Sequence, residues 1–278
     1  MNANENGVLR RIIVPPAGWL SINFREIWRY RELLYFLSWR DVKIRYKQTV
    51  LGFLWAFLQP FIQLVVFSVI FGRLIGVKSD GGDYPVFLFT GLLPWQFFSE
   101  ILSRSSQSVV TNANLLTKVY FPRLIIPLAS AGACLVDFVI SFTILAGLMF
   151  YYHVPLTLSF LAVIPLTFLT AFIALGAGIL LSGLSATYRD FKYAIPFGMQ
   201  VWLYVTPVVY SVKVFPARWQ WLVSLNPMAG IVDAYRAAIL NRPMAWENLG
   251  ISVAVGVALF VVGIFYFRRM EKTFADVV

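Results

Sequence analysis

Residues 40–60, RDVKIRYKQTVLGFLWAFLQP, set a cationic block directly against a long apolar run. Arg40, Lys43, Arg45 and Lys47 fall within eight residues, and from Leu51 the chain stays largely apolar as far as residue 74. A bilayer crossing needs roughly 20 mostly apolar residues, and this run is long enough. Lys and Arg are held on the cytoplasmic side of a membrane, so the block fixes the direction of the first crossing. Every later loop then acquires a side.

The whole chain follows the same rule. It is 59% hydrophobic and 13% charged, against about 45–50% and about 25% in an average soluble domain. The net charge of +10 would suit nucleic acid only if the cations shared one face of a soluble fold, and here they crowd between apolar runs. Six segments are long enough to cross: 51–74, 85–107, 125–151, 160–186, 193–212 and 249–267. With both termini cytoplasmic, seventeen Lys and Arg fall inside and six outside, which satisfies the positive-inside bias. The expectation is an all-α, multi-pass integral membrane protein with six transmembrane helices. A cytoplasmic segment, 1–48, precedes a membrane domain, 49–278. Residues 1–19 lack the apolar core of a cleavable signal, so the first span is expected to direct insertion.

The connections are unequal. Around residues 21–35, Phe24, Ile27, Trp28, Leu34 and Tyr35 recur at helical spacing against Arg25, Arg29, Arg31 and Glu32. This predicts an amphipathic helix on the membrane surface or against a partner protein. In the last outer connection, Asn226-Pro227 reads as an N-cap followed by proline at the first helical position. Met228, Ile231, Val232, Tyr235 and Ile239 continue at helical spacing. About 14 residues cover only about 21 Å, too short to span, so this helix is expected to be re-entrant or interfacial. The inner loop 111–123, TNANLLTKVYFPR, is compact and of a type that docks on another protein.

Catalytic chemistry is sparse. There is one histidine, His153, and one cysteine, Cys134, so no intramolecular disulfide forms and no CxxC metal or redox motif exists. HExxH, GxSxG and the P-loop GxxxxGK[ST] are all missing from the sequence. Three ionisable residues fall within spans. Glu100 and Arg104, four apart, share a helix face and can pair. Asp137 lies about midway along the third span, either bonded to a neighbouring helix or carrying protons in a coupled carrier. Trp55, Trp95, Phe98, Trp202, Tyr204, Tyr210 and Tyr235 offer rings that could line a glycan path, or simply pack. Ala174, Gly178, Ser182 and Ala186 form a small-residue stripe suited to close helix contact.

Several stretches resemble one family: the 40–60 block, GLLPWQFF at 91–98, NLLTKVYFPRLIIPL at 114–128, YRDFKY at 188–193, TPVVY at 206–210 and NPMAGIVDAYRAAIL at 226–240. In that order, around six spans, the chain resembles the membrane subunit of ABC-2 type exporters, within them the polysaccharide and O-antigen export permeases. The resemblance implies a homodimer working with two copies of a cytoplasmic ABC ATPase. ATP and Mg would sit on that partner, leaving no cofactor, metal or catalytic residue in this chain. It implies ATPase contact at the interface helix (Phe24, Ile27, Trp28, Arg31) and at the inner loops through Asn114, Thr117, Lys118, Phe121, Pro122, Arg123, Arg189 and Asp190. It also implies a lipid-linked glycan as substrate, membrane lipid as surroundings, no nucleic acid, and an outer gate within 215–242. Export of small hydrophobic compounds, or proton coupling through Asp137, are the alternatives.

Overall fold

The computed structural model describes residues 24–47, 53–77, 79 and 82–271, and all regular structure among them is helical. Residues 1–23, the junction 48–52 within the cationic–apolar block, and the C-terminal 272–278 lie outside the described residues. The helices are α1 (Phe24–Arg29), α2 (Arg31–Lys47), α3 (Phe53–Phe67), α4 (Tyr84–Thr111), α5 (Ala113–Lys118), α6 (Ile125–Tyr151), α7 (Val163–Thr187), α8 (Phe191–Val205), α9 (Ala217–Ser224), α10 (Pro227–Ile239) and α11 (Trp246–Met270). A π-helical stretch, Ser68–Leu74, prolongs α3, and a 3-10 turn, Leu158–Ala162, leads into α7.

Among the described residues five helices are long and apolar enough to cross a membrane: Leu54–Leu74, Tyr84–Thr111, Ile125–Tyr151, Leu158–Thr187 and Trp246–Met270. The segment expected as a further span, 193–212, forms only the 15-residue α8, about 22 Å long. Pro207 ends it. A residue before proline is driven out of the helical region, and Thr206 is extended with φ −83° and ψ 135°.

α4 is the axis of the bundle. Its apolar stretch is 78% buried, against 11% for Leu54–Leu74, and it packs on α6, α7 and α10. The small-residue stripe of α7 serves this contact: Ala174 and Ser182 are fully buried, and Gly178 faces Ser105 of α4. α7 also meets α11 at backbone distance. A Cβ on Gly263 would lie 2.4 Å from the carbonyl oxygen of Gly176, so nothing larger than hydrogen fits.

The cap expected at Asn226 is present. Its side chain accepts from the Met228 N–H at 3.0 Å, with Pro227 opening α10. α10 does not lie flat with one wet or lipid-facing side, because Met228, Ile231, Val232 and Tyr235 are fully buried. It is a short helix enclosed by α4, α7 and α11.

The N-terminal helices depart from the expected single apolar stripe. Ile27 and Leu34 turn inward, the second beside Leu37, Phe121 and Ile126, whereas Trp28 and Tyr35 remain 71% and 69% exposed. Leu33 and Tyr30 join the inner side, and Phe36 and Trp39 the outer. α2 is therefore apolar on two faces and is seated against α6 by one of them.

The α7–α11 contact gives a direct test. Gly263→Ala is expected to destabilise the protein by about 1–3 kcal/mol, in line with other overpacked cores. Gly147→Ala, where an added Cβ meets nothing within 4 Å, is expected to leave the thermal unfolding midpoint in detergent unchanged.

Candidate functional site along the polar face of α4

α4 carries Gln96, Ser99, Glu100, Ser103, Arg104 and Gln107 at steps of three and four residues, which places them on one helix face. This seam starts near the middle of the helix and reaches its C-terminal end. In an apolar bundle such groups need partners, since an unsatisfied polar group out of water costs several kcal/mol.

α2 supplies them. Ser38 Oγ donates to the carbonyl of Ala129 at 2.9 Å, and further on Arg45 and Tyr46 both reach Asp137. The contacts advance together, so α2 runs beside the first half of α6 in the same direction. The Arg45 guanidinium pairs with the Asp137 carboxylate through Nη1 and with Glu100 through Nη2 at 3.3 Å. Glu100 in turn accepts from Arg104 Nε at 2.7 Å, as their spacing predicts. The Tyr46 hydroxyl donates to the other Asp137 oxygen. Burial, and then that hydrogen bond, push the Tyr46 phenol well above its usual range, so it stays protonated and remains a donor. Nearby, Arg40 Nη2 donates to Asp41 and to the Asn112 side chain, both at 2.8 Å. Asp137, which read as a solitary acid in the sequence, is thus the centre of a node joining α2, α4 and α6.

Two cavities flank the node and share Arg45, Glu100 and Ser103 in their walls. One, of about 640 Å³, lies between α2 and α4, lined by Arg40, Arg104 and Gln107. The other, of about 390 Å³, lies among α3, α4, α6 and α8 and is lined by Gln59, Gln63, Gln96 and Gln200 as well as Trp95.

The expected inner contacts divide by exposure. Asn114, Lys118, Arg189 and Asp190 are exposed, as are Val119 and Tyr120, which the sequence did not single out. Phe121 is instead a buried plug among Leu37, Ile125 and Ala129. Pro122 is half-buried, and Arg123 donates to the backbone carbonyl of Glu271 at the end of α11. The side chains of Thr117 and Phe24 lie outside the described residues. Arg31 is exposed, its guanidinium 5.7 Å from the Trp28 ring centroid.

Five of the seven candidate channel rings are held by neighbouring groups. Trp95, Phe98 and Trp202 form one aromatic cluster with centroids 5.2–6.1 Å apart, and Tyr235 is fully buried with its hydroxyl 2.8 Å from Thr167 Oγ1. The Tyr210 hydroxyl donates to the Tyr204 carbonyl at 2.6 Å. Trp55 and Tyr204 leave half their surface open.

Arg236 differs most from its place in the sequence. One of the six Lys and Arg that the charge distribution puts outside, it is 3% exposed. It donates to the carbonyls of Pro207 and Val208 at 2.8 and 2.5 Å and lies 3.7 Å over the Phe87 ring. Tyr84 adds a bond to the Val209 carbonyl at 2.8 Å. These donors satisfy the backbone left open where α8 stops. Within a membrane protein non-helical backbone is tolerated only when partnered in this way.

A family model described as ABC-2 type transporter matches residues 32–240, from α2 through α10. The chain belongs to that family. It is 30% identical over 247 residues to the O-antigen export system permease protein RfbA of Klebsiella pneumoniae, covering 88% of this chain and 95% of that one. It is also 30% identical to RfbA of Myxococcus xanthus over 262 residues, 91% and 97% of the two chains. The polysialic acid transport protein KpsM of Escherichia coli is 24% identical over 207 residues, 72% and 78% of the two chains.

If the node acts as one unit, its members couple. Arg45→Ala and Asp137→Ala are each expected to destabilise the protein. The double variant should lose about 1–3 kcal/mol less than their sum, measured by denaturant unfolding in detergent. Additive losses would mean that the two groups stand independently.

Proposed function

We propose that the chain is the membrane subunit of an ATP-driven exporter that carries lipid-linked polysaccharide across the bacterial cytoplasmic membrane. The observation that supports this reading is its similarity, along nearly their whole length, to permeases named for O-antigen export. O-antigen is the substrate class it favours, with capsule and teichoic acid polymers as related cargo. The sequence has no P-loop, so hydrolysis of ATP, with its Mg ion, belongs to a separate ATPase. Two copies of each subunit would make the working complex. Six crossings, with both termini cytoplasmic, agree with the charge distribution; α8 and the buried stretch 206–211 together would make the crossing that α8 alone is too short to complete.

The mechanism follows from which inner elements are exposed and what they are tied to. Closure of the ATPases on ATP would press on Lys118, Val119 and Tyr120 and on the turn at Arg189 and Asp190. Behind this surface Phe121 is wedged under α2 and α6, Arg123 holds the end of α11, and the Arg45 node binds α2 to α4 and α6. A push at the loop would therefore move a packed unit, and coupling over distance further requires that this unit have two arrangements. Proton coupling through Asp137 finds less support, because its carboxylate is engaged by Arg45 and Tyr46. Export of small hydrophobic compounds does not call for the polar seam of α4.

The double variant Lys118→Ala/Tyr120→Ala is expected to keep ATP hydrolysis in the purified complex while surface polymer falls about tenfold or more. These side chains are exposed, so the fold should be spared. Normal export by this variant would rule the loop out as the coupling element. Affinity purification of the wild-type chain followed by mass spectrometry is expected to bring down an ABC ATPase and carbohydrate-bearing lipid.

A further inference from the structure

α2 packs chiefly on α6, and the gap it leaves toward α4 is the 640 Å³ cavity. Three arginines, Arg40, Arg45 and Arg104, share its walls with the carboxylates of Asp41 and Glu100. Their pairing is incomplete. Glu100 accepts from Arg45 on one oxygen and from Arg104 Nε on the other. Among the described residues the Nη1 and Nη2 groups of Arg104 then have no partner. Neither do the side chains of Ser103 and Gln107, nor Oδ2 of Asp41, since Arg40 takes only Oδ1. About a third of the Arg104 and Arg40 side chains stays open, so these groups face an accessible space. The space lies toward the end of α4 that the charge distribution puts on the cytoplasmic side. α4 has 28 residues, about 42 Å, which is the thickness of a bilayer with its headgroups included. Its last turns therefore stand at headgroup level.

We propose that this cavity binds the headgroup of an ethanolamine phospholipid, its phosphate on Arg104, Ser103 and Gln107 and its ammonium on Asp41. The inference stands apart from the choice of cargo. The chemistry matches on three counts. A guanidinium presents planar, paired donors that suit phosphate oxygens, and basic pockets between helices on the cytoplasmic side of a membrane hold lipid headgroups. The hydroxyl and amide add neutral donors to the same oxygens. The charges of the cavity balance, because Arg45 is also paired with Asp137, leaving three cations against three carboxylates. A ligand of net negative charge meets no excess of positive charge there, whereas a zwitterion needs none. Apolar surface is at hand as well. Leu37 and Ile126 are buried in the wall, and Ile44, 67% exposed, stands at the rim where the acyl chains would begin. The bound lipid would fill the gap and brace α2 against α4.

The test uses the full-length chain, stripped of endogenous lipid in detergent and titrated with dioleoyl phospholipids under native mass spectrometry. Phosphatidylethanolamine is expected to bind once per chain and about tenfold tighter than two relatives of the same tails. Phosphatidylglycerol lacks the ammonium, and the methylated ammonium of phosphatidylcholine has no N–H for Asp41. Two variants probe the site without emptying it of charge. Ser103→Ala/Gln107→Leu removes donors that have no partner in the fold, and Arg104→Lys keeps a cation beside Glu100 but loses the fork. Each is expected to weaken phosphatidylethanolamine binding about five- to tenfold, and the first should leave the lipid-free unfolding midpoint unchanged. Phe150→Ala, at a side chain 85% exposed on α6, is expected to bind as the wild-type chain does. Equal affinity for the three headgroups, or full phosphatidylethanolamine binding by both site variants, would show only the lipid shell of any membrane protein and overturn the site. Displacement of the lipid by millimolar inorganic phosphate would show a free-anion pocket, and the headgroup assignment would fail.

Discussion

The guanidinium of Arg45 reaches from α2 to carboxylates on α4 and α6, and much of the arrangement depends on that reach. Asp137 stands twelve residues into a 27-residue apolar helix, where an unpaired carboxylate would cost several kcal/mol. Arg45 and Tyr46 meet that cost, and they can do so only if α2 runs along α6. The ion pair therefore fixes the course of the N-terminal helix. That course in turn buries Leu37 against Phe121 and seats the inner loop. The same packing thus ties the inner loop to α2 and α6.

A second cation solves the opposite problem. Where α8 gives way at Thr206-Pro207, the backbone carbonyls of Pro207 and Val208 lose helical partners, and Arg236 replaces them from α10. Asn226 joins the same region from the start of α10, accepting from Trp202 at 3.1 Å and donating to Thr206 Oγ1 at 2.9 Å. The short buried helix α10 is thereby locked to the end of α8. One end of the bundle is tied by carboxylates on an arginine, the other by carbonyls on an arginine. Between them α4 is the common wall.

What the sequence made legible was local. Long apolar runs announced membrane-length helices, Asn226-Pro227 announced the start of α10, and four-residue spacing announced the Glu100–Arg104 pair. What the sequence left open or missed involves partners far apart in the chain. Asp137 finds Arg45 from 92 positions away, and no spacing rule connects them. Pro207 was legible as a proline within an apolar run, but membrane helices often tolerate proline. That it stops α8 depends on Arg236, 29 residues later. The apolar residues of α1 and α2 showed helical spacing, yet only the packing on α6 divides them into an inner and an outer face. The seam of α4 could have been found, because Gln96, Ser99, Ser103 and Gln107 share the face of Glu100. Their neutrality hid them among apolar neighbours.

In the proposed mechanism α2 and α6 move as one body, so that force at the inner loop reaches α4. A Cβ at Gly132 would sit 2.8 Å from Ser38 Cβ, close enough for a disulfide once the helices ease apart by about an ångström. The most direct measurement is the export rate of Ser38→Cys/Gly132→Cys, with Cys134→Ala, oxidised in the membrane and then reduced. The cross-link is expected to form, and export to proceed at the same rate in both states. Export that stops on oxidation and returns on reduction would show that α2 must part from α6, and would contradict that mechanism.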